Sequence, residues 1–316
     1  MNEFLGVFSA TLSPMLVMLC CIVVGFTLRK KGILPENGGT VLSRLETYVL
    51  VPALTINTFR RYCTIGSVTE KLNYTLTAAA VLAVAIAVAI PLSKAFSKED
   101  YQRKIYRYAL VFANYGFMGN AIVPAILGEE FLYPYMMYTL PLNVVVYTWG
   151  VVMLIPQGEK RQSWWKRLIN PPFIAILVGA ALGLTGANAY VPTFVSDVLD
   201  KCAACMAPVA MILTGFVVGG YPLKPLFSNR KVYMATALRL LLIPTVMLAA
   251  LYLLGVDRQT MIFTLFAFAT PLGLNTVVFP AAYGGDTTTG ASMAMISHTL
   301  CVLTIPLLYA ALVAIV

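Results

Sequence analysis

Apolar residues come in ten long runs separated by short polar connections. They fall at about 10 to 28, 40 to 59, 73 to 93, 105 to 127, 131 to 155, 171 to 186, 203 to 221, 232 to 255, 260 to 284 and 289 to 315. Each is close to the roughly 20 residues a helix needs to cross a bilayer. The pattern predicts an all-α integral membrane protein with ten transmembrane helices. The longest connection is about 15 residues, which leaves no room for a separate regulatory or catalytic domain.

Two runs break the apolar pattern with helix-breaking residues. The fourth contains FANYGFMGNAIVPAILG (112 to 128), with two asparagines, three glycines and a proline. The ninth contains FAFATPLGLNTVVFPAAYG (266 to 284), interrupted by Pro271, Gly273 and Pro280. Proline removes a backbone donor and clashes with the preceding turn, while glycine tolerates an unwound backbone. Backbone groups freed in this way survive at membrane depth only when buried in protein or lining a wet cavity. Both spans are therefore predicted to be discontinuous and to meet at one site.

A shift of 156 residues aligns these interruptions without a gap: Phe112-Ala113 with Phe268-Ala269, Pro124-Ala125 with Pro280-Ala281, and Gly128 with Gly284. Pro52 and Pro208 align under the same shift. The division is residues 1–156 against 157–316, five spans each. Because five is odd, the second half enters the membrane from the opposite side. The expected architecture is two inverted five-helix repeats whose broken helices four and nine cross, which is a transporter arrangement.

Composition agrees with a bilayer setting: 59% of the 316 residues are hydrophobic and 11% charged, with a mean hydropathy of +0.82. The net charge of +9 is not a nucleic-acid signature, because the basic residues sit in connections. Fifteen of the twenty-two lie in those after spans one, three, five and seven, which makes that side cytoplasmic and places both termini outside. Trp164 and Trp165 beside Lys166 and Arg167 read as an interfacial anchor, and Arg239, two turns into span eight, reads as a side chain that snorkels to the basic interface. Six scattered cysteines imply no disulfide framework, and Cys202-Ala-Ala-Cys205 reads as packing. None of the thirteen acids falls at mid-span; only Glu46 is placed inside a helix, near its cytoplasmic end. One histidine and no mid-span carboxylate argue against an integral membrane enzyme.

An interrupted helix exposes the start of its second half, where unpaired N–H groups and the peptide dipole favour negative charge. Side-chain amides add donors for a carboxylate. The candidate substrate-binding residues are Asn114, Tyr115, Gly116, Asn120 and Pro124 in span four, Asn143 in span five, and Pro271, Asn275 and Pro280 in span nine. Interhelical hydrogen bonding is the plain alternative for the asparagines. His298 is the candidate proton relay, with packing as its alternative. No cofactor or metal is implied.

The motif Asn114-Tyr-Gly116-Phe-Met-Gly119 followed by Pro124 resembles the fourth-helix motif of the auxin efflux carrier, or PIN-like, family, within the bile acid/auxin carrier superfamily. Further likeness lies in Ser13-Pro14, Pro52, Asn170-Pro171-Pro172, Ala207-Pro208, the RLLLIP stretch at 239 to 244 and the ATPLGLNT to SHTLCVLTIP ending. The resemblance implies that spans 1, 2, 6 and 7 form a dimerising scaffold and spans 3–5 and 8–10 a moving, elevator-type transport domain. It also implies an organic anion as substrate. The expected function is a cell-membrane carrier of a mono- or dicarboxylate, with a membrane ligand sensor or lipid-binding protein that keeps the transporter fold as the alternative.

Overall fold

A computed structural model describes residues 2–156, 166, 169–282 and 284–316. Among these the chain is helical throughout, and its one β-bridge is the isolated pair Ala113 and Leu272. Six helical runs are long and apolar enough to cross a membrane: Glu3–Lys30, Ile65–Ala95, Glu129–Leu154, Thr193–Gly219, Arg230–Leu253 and Thr288–Ile315. Two shorter apolar helices, Tyr115–Leu127 and Pro171–Leu184, lie among them. Large apolar side chains such as Val17, Phe194 and Leu253 point outward, as a helix facing lipid requires. Trp164, Trp165 and Arg167 lie outside the described residues.

Local chemistry sets many of the helix starts. The Thr64 side chain accepts from Ser67 N while Ser67 Oγ accepts from Thr64 N, a capping box that opens the Ile65–Leu92 helix. Asn170 accepts from Phe173 N at 3.0 Å ahead of Pro171 and Pro172, and Asp257 accepts from Thr260 N at 2.9 Å. Small residues decide which helices approach closely. Asn2–Lys30 packs on Thr193–Gly219 where Gly25 meets the backbone of Ile212 and Gly215 that of Ile22. Pro171–Leu184 packs on Val51–Tyr62, with Gly179 against Ile56 and Phe59 and Gly183 against Cys63. Any Cβ at these positions would collide with backbone, so glycine is what allows the contact.

Among the described residues four helical runs contain a widened π turn: Glu46–Leu50, Tyr115–Gly119, Val146–Gly150 and Leu238–Leu242. Two are followed at once by a proline near the next helix start, Pro52 and Pro244. Proline cannot donate to the carbonyl four residues back and crowds it, so the turn before it widens. These turns carry unusual groups. Glu46 is fully buried, with neither carboxylate oxygen hydrogen-bonded among the described residues. It is the ninth residue of the helical run that begins at Gly38, roughly 12 Å from its start at 1.5 Å per residue. Arg239 does not snorkel: it is 0% exposed and lies over the Phe268 ring, 5.3 Å from its centroid. The six cysteines are free thiols.

Candidate functional site

The helix Asp100–Val111 stops at Phe112, whose backbone turns extended, and a π turn begins at Tyr115. In the later segment, Arg258–Phe268 ends at Ala269 and the next helix, Asn275–Ala282, opens six residues on. The two interruptions touch. Asn114 N donates to Pro271 O at 2.7 Å, and Ala113 pairs antiparallel with Leu272. Leu272 N in turn donates to Ser297 Oγ at 2.9 Å. Backbone groups freed by the breaks thus find partners on other elements, Pro271 O for Asn114 and Ser297 Oγ for Leu272, the condition for irregular backbone at membrane depth.

Beside this contact lies a cavity of about 530 Å³. Ala113, Asn114, Tyr115, Gly116, Phe117 and Asn120 form one wall, and Gly273, Leu274 and Asn275 another. Thr139, Asn143 and Tyr147, spaced four residues apart on one helical face, form a third. Ser43, Thr47, Tyr48 and Thr55 come from the second helical run, and Lys166, Asn170, Pro171 and Phe173 close the end. Six sequence-predicted residues, Asn114, Tyr115, Gly116, Asn120, Asn143 and Asn275, thus share one cavity. Pro271 supports it through its carbonyl without lining it. Pro124 and Pro280 sit inside the helices Asn120–Leu127 and Asn275–Ala282, away from the breaks, and do not line it.

Hydrogen bonds assign each amide a direction. His298 Nδ1 is 2.7 Å from Ala294 O, and a carbonyl only accepts, so Nδ1 carries the proton and Nε2 the lone pair. Asn114 Nδ2, 3.2 Å from Nε2, is then the donor. His298 is 2% exposed and stands behind Asn114, reaching the cavity only through that amide. Asn275 Nδ2 donates to Tyr108 Oη at 2.8 Å. Asn143 is turned the other way: its Oδ1 accepts from Tyr115 Oη at 3.0 Å, which keeps its N–H groups for the cavity. Asn120 Oδ1 is buried and accepts no hydrogen bond among the described residues. Tyr115 is also held by its carbonyl, which accepts from Tyr135 Oη at 3.1 Å.

Sequence reading misses the stripe Thr139, Asn143 and Tyr147 as a unit, although its i, i+4 spacing is readable. It has no means of finding Ser43, Thr47, Tyr48 and Thr55, which reach the cavity because of how distant helices pack. Among the described residues no cluster of three or more His, Cys, Asp or Glu side chains is placed to hold a metal ion.

Comparison with known proteins supplies the family. The membrane transport protein family matches residues 10–309. An uncharacterized transporter from Methanothermobacter thermautotrophicus is 20% identical over 303 residues, covering 95% of this chain and 98% of the relative. With a family match across almost its whole length and a relative aligned end to end, this chain belongs to the membrane transport proteins of the auxin efflux carrier type, and it is a multi-pass membrane transporter rather than an enzyme.

Proposed function

We propose that the chain carries a small organic anion, a mono- or dicarboxylate, by alternating access, with the substrate held in the cavity where the interruptions of helices four and nine meet. The observation that carries this reading is the convergence of five asparagines and two helix starts on one cavity of about 530 Å³, a volume in the range typical of small-molecule sites. In the proposed ten-helix scheme, two inverted five-helix repeats place those helix starts toward each other. A carboxylate would take the free N–H groups of Asn143 and the backbone N–H groups at the start of the Tyr115–Gly119 turn, which has no side-chain cap. Lys166 adds a cation to the wall. Asn114 and Asn275 would orient the walls through His298 and Tyr108. Spans 1, 2, 6 and 7 would serve as scaffold and homodimer surface, with spans 3–5 and 8–10 moving between states, in a cell membrane with both termini outside.

Purified protein reconstituted in vesicles should take up or release a labelled carboxylate, and the same compound should raise the midpoint of thermal unfolding, because a ligand of the folded state stabilises it by mass action. A panel of mono- and dicarboxylates identifies the substrate. Stabilisation by a lipid and by none of the carboxylates would replace the carrier reading with that of a lipid-binding protein or sensor.

A further inference from the structure

We propose that Arg239 anchors a second anion site, separate from the transport cavity, which takes a small inorganic anion of chloride size. Arg239 is fully buried, and its Nε, Nη1 and Nη2 all lack hydrogen-bond partners among the described residues. The face of Phe268 offsets only part of the cost of taking a full charge out of water. Two further buried hydroxyls are also unpartnered among the described residues: Thr236 Oγ1, three residues before Arg239 and so on the same helical face, and Thr270 Oγ1, two residues past Phe268. The guanidinium and these two hydroxyls, close to Arg239 or to its Phe268 partner along the chain, are donors with no acceptor among the described residues.

The charge inventory around them points the same way. The Leu238–Leu242 turn packs against Thr288–Ile315 and Asp100–Val111 as well as its own helix. Thr288–Ile315 has no acid, and its titratable groups are His298, Cys301 and Tyr309. The acid of Asp100–Val111 is Asp100, which pairs with Arg103 and Lys104 at the helix start, and the same helix also carries Arg107. Asp257, ahead of the helix that carries Phe268, caps Thr260. No carboxylate on these elements is left to neutralise Arg239, so an anion from solution does. Arg239, Thr236 and Thr270 do not line the transport cavity, and their enclosure suits a halide better than an organic acid.

The test uses full-length purified protein. Bromide-grown crystals should show an anomalous peak on the Arg239 guanidinium. The thermal midpoint should rise and saturate as chloride replaces gluconate at constant ionic strength. Thr270→Val should move half-saturation to about tenfold higher chloride, the equivalent of one lost hydrogen bond to a charged group. Arg239→Gln should abolish the response, and Asn114→Ala should retain it, which separates this site from the transport cavity. If Arg239→Gln does not fold, the wild-type bromide peak and the Thr270→Val shift decide the matter. Identical wild-type midpoints in chloride and gluconate with no bromide peak would overturn the proposal. A transported carboxylate found on Arg239 in place of halide would overturn it too.

Discussion

The two interruptions occupy matching places in the sequence but have different surroundings. The first, around Phe112 to Asn114, borders the cavity along its whole continuation from Ala113 to Phe117, and a Cβ added at Gly116 would meet nothing within 4 Å. The second, Ala269 to Leu274, is buried throughout and meets the cavity only at its end, through Gly273 and Leu274. It is fastened by Asn114 N on Pro271 O and Ser297 Oγ on Leu272 N, and Gly290 packs directly on the carbonyl of Thr276 just beyond it. One is mainly an open wall and the other mainly an anchor. A duplicated pattern of glycine and proline allows a break in both places; packing decides what each break is for.

The largest effect that would break this comparison belongs to the anchor. Gly290→Val should cost about 3 kcal/mol or more, at the upper end for overpacking between rigid backbones, and yield little folded protein by size-exclusion chromatography. Gly290→Val protein that melts like wild type would remove the claim of a tight anchor. Next, Asn114→Ala deletes a donor to His298 and a cavity wall group together, and should lower transport roughly ten- to hundredfold, the equivalent of about 1.5–3 kcal/mol; vesicle flux at wild-type rate would move the site elsewhere.

Ser297→Ala leaves Leu272 N buried without an acceptor and should destabilise by about 1–3 kcal/mol, seen as a lower thermal midpoint. Gly116→Ala is the matched control on the open wall: its stability should change by less than about 1 kcal/mol, the usual helix cost or gain of glycine, while substrate affinity falls because the methyl group enters the cavity. The smallest effect is expected from His298→Gln, whose side-chain oxygen can still accept from Asn114. At about 0.6 kcal/mol per interhelical hydrogen bond, flux should drop no more than severalfold with an unchanged pH profile, whereas a displaced pH optimum would make His298 a proton relay.

The π turns extend the lesson beyond the breaks. Glu46 and Arg239, the two charged residues at 0% exposure among the described residues, each sit in a widened turn just ahead of Pro52 or Pro244. From spacing alone, both read as residues near a membrane interface. The prolines are visible in the sequence, but the direction in which a widened turn aims its side chains is not, because one extra residue in a turn rotates every later position relative to its neighbours.

Local chemistry was sufficient for part of the answer. Long apolar runs require membrane-embedded helices, because lipid offers the backbone no hydrogen bonds, and the Asn114–Gly119 and Pro271–Gly273 stretches mark where those helices cannot stay regular. The same stretches carry the family likeness that the match over residues 10–309 then established. Only tertiary structure decided the rest: that Asn114 spends its N–H on His298 while Asn143 keeps its own, that the second helical run lends Ser43 and Thr47 to the cavity, and that Pro124 and Pro280 stay inside their helices. The reason is physical. Whether a segment leaves the helix depends on its own residues, but the partner of a freed amide is supplied by another element, 25 residues on for Leu272 and Ser297 and more than a hundred for Asn114 and Pro271.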